Sequence, residues 1–275
     1  MTAAETNLSH HVWHADHPPG HPDSTLWFHG TTREFDTFGP LGNHDTRNTF
    51  HWNNHLGGPH FAHHPQVARF FARGGHRTQT RSGAVHAVRL HLRRPAFYAS
   101  EAALAAAALH AAWRADVIRA GDLTELDQDV EFTGSDDPFS TLFEEHTDLN
   151  ATPDHVHAYL GTLDPDRAAH CPLLLTVADD FLSALGKAAY LCGHDRAEDD
   201  DLSRDEQVQS GHAAAYALFD QIGAALRAWL GIQGHDGLIY VNSVPPEFGL
   251  AAVPFSTDQI RPHRVTRIHP SKTLN

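Results

Sequence analysis

Three short stretches of this sequence combine side chains and bare backbone in ways that can do chemistry. The first is "FHGTT" (28–32), which ends the strand-like apolar run of "LWFHGTTREFDTF". His29 offers a donor and an acceptor at a fixed strand end. Gly30 lacks a side chain, so its N–H and C=O can approach a flat ligand. Thr31 and Thr32 add hydroxyls. The second stretch is "GGPHFAHHPQVARFFA" (57–72), in which a glycine-proline turn leads to His60, Phe61 and Ala62 and then to a Phe70–Phe71 pair. Either phenylalanine can fill a core or stack on a heteroaromatic ring. The third is "DGLIYVNSVPPEFGLAAVPFSTDQI" (236–260), where Asp236-Gly237 turns into a strand and Glu247 stands in a Pro/Gly loop before the next one. Taken singly, each stretch also has a plain structural reading: a packed histidine, two core phenylalanines, a solvated glutamate.

Other chemistries fit less well. His44, His51, His55, His60, His63 and His64 invite a zinc site, but no H-E-x-x-H or comparable ligand spacing appears, so no metal is expected. The two cysteines, Cys171 and Cys192, form no CxxC pair. That argues against a cysteine zinc site and a disulfide framework and suits a reducing cytoplasm. The net charge of −14 opposes general coating of nucleic acid, while "RGGHRTQTRSG" (73–83) leaves room for a local basic groove. The 25 histidines make that charge sensitive to mild acidification. No apolar run reaches the roughly 18 to 20 residues of a membrane helix, so no membrane partner is expected. Residues 1–24, rich in Pro, His and Gly, read as a flexible leader without the basic and apolar regions of a signal peptide.

The elements that must position these residues are legible in the patterning. Residues 25–98 read as strand, loop, strand, helix, strand. Pro65 suits a first helical turn, Gly74-Gly75 a stop, and "GAVHAVRLHLRRPAFY" alternates like a half-buried strand. Residues 99–231 read as mainly helical: "SEAALAAAALHAAWRADVIRAG" with a serine N-cap, "CPLLLTVADDFLSALGKAAYLCG" and "SGHAAAYALFDQIGAALRAWLG". "HDRAEDDDLSRDEQ" (194–207) is expected as a solvated acidic loop and "FTGSDDPFSTLFEEHTDLNATPD" as an irregular connector. Residues 232–275 return to strands. The expected fold class is α+β, with strands from both ends sharing one core and the helical middle inserted between them.

In this order the three stretches resemble the ADP-ribosyltransferase superfamily. The likeness is to the bacterial and phage branch found in polyvalent proteins and toxins, kin to the catalytic fold of poly(ADP-ribose) polymerases. Members typically show a YHGT-like start, a G-x-Y-F-T/A middle with a downstream aromatic, and a DGI-x-Y-x-N end followed by an acid and F-x-P-x-Q-I-K. The resemblance spans residues 25–98 and 232–265. It implies a split β-sheet core with the large helical insertion, and NAD as substrate. It also implies transfer of ADP-ribose to a macromolecular acceptor, protein or nucleic acid, in a toxin- or effector-like role. The setting would be the cytoplasm, the chain's own or a target cell's, with a neutralising protein as a possible partner.

Residue by residue, the resemblance implies that His29 bonds the adenine-side ribose, Gly30 clamps the nicotinamide amide and Thr31 adds a hydroxyl contact. The nicotinamide would stack on His60, beside Phe61, and on Phe71, with Phe70 as the fallback. Glu247 would be the acid that bonds the other ribose and steadies an oxocarbenium-like transition state. Two departures stand out. His60 replaces the usual tyrosine, as in the histidine arrangement of NAD-dependent RNA 2′-phosphotransferases. The position aligned with the polymerase acid is Ala251, which leaves Gln259 as the polar alternative to Glu247. The same chemistry with water as acceptor is NAD hydrolysis, and a transferase fold that has lost activity would serve as a binding module.

Overall fold

The computed structural model describes residues 26–33, 35, 37–38, 52–74, 82–118, 172–200, 202–242 and 249–268. The expected leader, the connector at 132–154, most of "RGGHRTQTRSG", His44, His51 and Glu247 lie outside the described residues.

The chain is α+β and divides into two compact units. One is made of Met1–Leu41, Gly58–Phe97 and Gly234–Asn275, the other of Gly42–Gly57 and Tyr98–Gln233. The strands are β1 (Trp27–Thr31), β2 (Phe61–Ala62), β3 (Gly83–Leu90), β4 (Ala96–Tyr98), β5 (Gly237–Asn242), β6 (Gly249–Pro254) and β7 (Ile260–Ile268). They form one seven-stranded sheet in the order β4-β5-β6-β2-β1-β3-β7. Neighbours in this order come from distant parts of the sequence, so the sheet closes only when both ends of the chain meet.

Helix α1 (Pro65–Ala72) starts with Pro65 in its first turn, where a missing N–H costs nothing, and closes at Arg73. It lies on β1 and β3. A Cβ at Gly30 would run into the Ala68 carbonyl, and one at Gly83 into the Ala72 carbonyl. These two glycines let the helix backbone rest directly on the sheet, beside a small cluster of Ala68, Ala72 and Val85 flanked by Phe28 and Ile268. On the other face Trp27, Phe61, Val88, Leu92, Ile239, Ala252 and Ile260 form the larger apolar core.

The second unit holds α2 (Glu101–Arg114), α3 (Pro172–Asp199) and α4 (Arg204–Ile232). Ser100 caps α2 by accepting the Ala103 N–H at 3.0 Å, and Leu104 to Leu109 are all buried. Alanines there, and glycines where α3 meets α4, keep the helices close. A Cβ at Gly186 would strike the Phe219 ring, and one at Gly211 the Tyr190 ring.

The segment 194–207 departs from expectation. It is the last turns of α3 and the first turn of α4, joined by a short link at 200–203. Asp195, Arg196, Glu198, Arg204, Asp205 and Glu206 are exposed on outward helix positions. Ser203 and Glu206 close a capping box, and Asp205 and Glu206 sit where the helix dipole favours acids.

Candidate functional site

The first two chemistry-bearing stretches come together in the sheet. β1 and β3 pair over five residues, from Trp27↔Val88 to Thr31↔Ala84. On its other side β1 is joined to β2 by a single pair, Phe28↔Ala62. A side chain crosses this one-pair seam: His29 Nδ1 lies 2.8 Å from the His60 carbonyl oxygen. A carbonyl only accepts, so Nδ1 carries the proton and Nε2 is the acceptor nitrogen of the neutral ring.

Strand alternation divides the remaining groups between two faces. Phe28 and Gly30 face α1, as do Val85 and Ala87 of β3 by register. Trp27, His29 and Thr31 face the larger core. The His29 ring stands among aromatic neighbours there, with ring centroids 5.5 Å from Phe38, 5.7 Å from Phe61, 6.0 Å from Phe35 and 6.4 Å from His86. Phe35 stacks on His86 at 4.3 Å with the planes within 1°. His86, paired with His29 across β1 and β3, is buried at 6% exposure, and its Nε2 has no hydrogen-bond partner. Burial depresses the pKa of His86, which favours the neutral ring. His63 shifts the same way, through burial and the neighbouring His64.

Each expected site residue among the described residues has a definite place. Thr31 accepts the Arg33 N–H at 3.0 Å and so shapes the turn after β1. Gly30 is required by the approach of α1, a packing role that leaves only its backbone edge for a ligand. His60 precedes β2, with its Nδ1 3.4 Å from the Tyr240 hydroxyl of buried Tyr240. Phe61 is fully buried at 0% exposure, so it backs His29 as core. Phe70 and Phe71 meet edge to face at 5.3 Å on α1, and Phe71 is an exposed aromatic at 38%. Glu247 lies outside the described residues.

Two polar side chains of the third stretch, Asp236 and Gln259, are structural. The Asp236 carboxylate accepts the Arg93 and Arg94 N–H groups at 2.7 and 3.0 Å. The Gln259 amide donates to the Asp236 carbonyl at 2.7 Å and accepts the Ser256 N–H at 2.8 Å. Both ends of the Gln259 amide are engaged in holding the β6–β7 turn, so it is not a second acid position.

Sequence reasoning missed Phe35, Phe38 and His86. "GAVHAVRL" held the one available signal: His86 shares its parity with Ala84 and Val88, which mark an inward face. Among the described residues, one group has metal-like proximity, His194, Asp195 and Glu198 on α3. It lies on a solvent-facing helix surface, where such acids are common without an ion. No family model, no curated protein and no solved structure matches this chain.

Proposed function

We propose that the chain is an NAD-dependent ADP-ribosyltransferase that takes its substrate at the β1–β2 seam. The observation that carries this reading is the His29 ring bonded across the seam to the His60 carbonyl. It ties the two motifs together where the sheet ladder is reduced to one pair.

In this reading His29 Nε2 accepts a ribose hydroxyl, while the bond from Nδ1 to His60 fixes the ring's tautomer and direction. The backbone edge of Gly30 meets the nicotinamide amide, and His60 and exposed Phe71 bracket the ring from the α1 side. Phe35, Phe38 and Phe61 support His29 from behind and hold water away. The C1′–N bond breaks, nicotinamide leaves as a neutral molecule with the bonding electrons, and a nucleophile on the acceptor bonds C1′ and loses its proton. Positioning and electrostatic stabilisation of the developing positive charge do the work, and Glu247 supplies the carboxylate.

Release of nicotinamide from NAD tests this directly. Wild-type protein should turn over, and His29→Ala and Glu247→Gln should each reduce the rate by on the order of a hundredfold. Turnover without labelled acceptor identifies a hydrolase. Unchanged turnover in Glu247→Gln moves the acid role elsewhere. Absence of both turnover and NAD binding overturns the reading in favour of a binding module.

A further inference from the structure

The net charge of −14 is the sum of two units of opposite sign. The strand-bearing unit contains twelve Lys and Arg against eight Asp and Glu, a balance of +4. The helical unit contains eight against twenty-six, a balance of −18. At about 0.1 M salt, charges more than roughly 10 Å away are largely screened. A partner meeting the sheet therefore responds to the local cations and not to the total.

Three of those cations share one edge. β7 is the last strand in the sheet, pairs with β3 alone among the described residues, and is exposed from Arg261 to Arg267. Arg261 lies directly opposite Arg89, and Arg264 opposite Ala87 two residues back along β3. Ala87 shares the α1 face with Val85, so Arg89, Arg261 and Arg264 stand on that face together. Like charges directly across a ladder destabilise it. Arg261 and Arg264 have no carboxylate within ion-pair reach among the described residues, where Asp236 is committed to the Arg93 and Arg94 amides. Pro262 and the extra residue His263, which shifts the register between Ala87 and Val88, already protect the edge from pairing with another strand. The repeated arginines are not needed for that purpose.

We propose that the arginine face of the β3–β7 edge docks the phosphate backbone of a nucleic acid. Guanidinium groups engage phosphate in forked pairs. The strand spaces the Arg261 and Arg264 Cα atoms roughly 10 Å apart, so neighbouring groups meet different phosphates. This docking does not depend on the transferase reading, and its test uses no NAD.

The experiment titrates the full chain against a short fluorescent single-stranded oligonucleotide at several salt concentrations. Three phosphate contacts give a slope of log affinity against log salt near −2, and an affinity loss on the order of twentyfold between about 50 and 200 mM. Arg261→Ala with Arg264→Ala should flatten that slope by about 1.4, and Arg261→Lys with Arg264→Lys should restore most of it. Thermal unfolding of both doubles checks that β7 survives. No binding by the wild type, or an unchanged slope in the alanine double, overturns the proposal. Tight binding of polyglutamate with none of oligonucleotide overturns it in favour of an acidic protein partner.

Discussion

The two units solve the same problem, burial of apolar surface, with different materials. The strand-bearing unit assembles from three separated stretches, and its faces are fixed by register: one residue of slip would carry His29 out of the core and Gly30 into it. The helical unit packs α2, α3 and α4 through alanine and glycine contacts, and the charged side chains of Asp195, Arg196, Glu198, Arg204, Asp205 and Glu206 are exposed. The imidazole that bridges a one-pair seam lies in the strand-bearing unit. A fold built from long-range register can bring side chains together that no local rule would pair.

The sharpest way to break this comparison is Gly30→Val. The new Cβ would overlap the Ala68 carbonyl, which belongs to helix backbone and cannot swing aside. The expected loss is at least about 3 kcal/mol in the strand-bearing unit. Denaturant unfolding followed by Trp27 fluorescence reads that unit, with Trp13, Trp52, Trp113 and Trp229 replaced by Phe. Far-UV circular dichroism is dominated by α2, α3 and α4. If the units are independent, the Trp27 midpoint should move alone. Equal shifts by both probes would show one cooperative structure and dissolve the contrast.

The same contrast explains what the sequence made legible. Pro65 and Gly74 bracket α1, Ser100 caps α2, and the apolar pattern of β3 and the apolar run of β5 after the Asp236-Gly237 turn mark strands, because each of these is decided within a few residues. The acidic stretch at 194–207 misled because charge was weighed above the Ser203–Glu206 capping spacing, which was in plain view. The surroundings of His29 were out of reach for another reason. Phe35 and Phe38 follow the end of β1 in a segment without periodicity, and only tertiary packing turns their rings onto His29 and His86. The bond from His29 to His60 spans 31 residues of sequence. Net charge was the weakest guide, since it summed two units of opposite sign.

A smaller effect should appear on acidification. Burial holds the His86 pKa below its ordinary value, and burial with His64 does the same for His63. The unfolded chain therefore binds protons first as pH falls below about 6.5. Stability of the strand-bearing unit is fully present above that pH and declines below it. His86→Phe keeps a flat ring against Phe35 and removes one titrating group. Its Trp27 unfolding midpoint should fall less than that of the wild type between roughly pH 7 and pH 5.5. An equal fall in both proteins would assign the acid sensitivity to other histidines.

The smallest expected effects test the helical side. Gly223 and Gly231 both lie within α4, yet their surroundings differ. A Cβ at Gly223 would meet the carbonyl of His55, whose ring is buried against Tyr216 and Phe219 and bonded to Asp220 at 2.9 Å. A Cβ at Gly231 would meet nothing within 4 Å. Gly223→Ala should cost about 1 to 3 kcal/mol, because His55 and its partners must shift together. Gly231→Ala should stabilise by up to about 1 kcal/mol, the ordinary helix preference of alanine, reduced by its place in the final turn. Circular dichroism melts of the two variants would show opposite signs from one chemical change. If both lowered the melting temperature, Gly231 would have a contact role that its open surroundings do not provide, and the account of α4 as a helix held by small-residue packing would need another term.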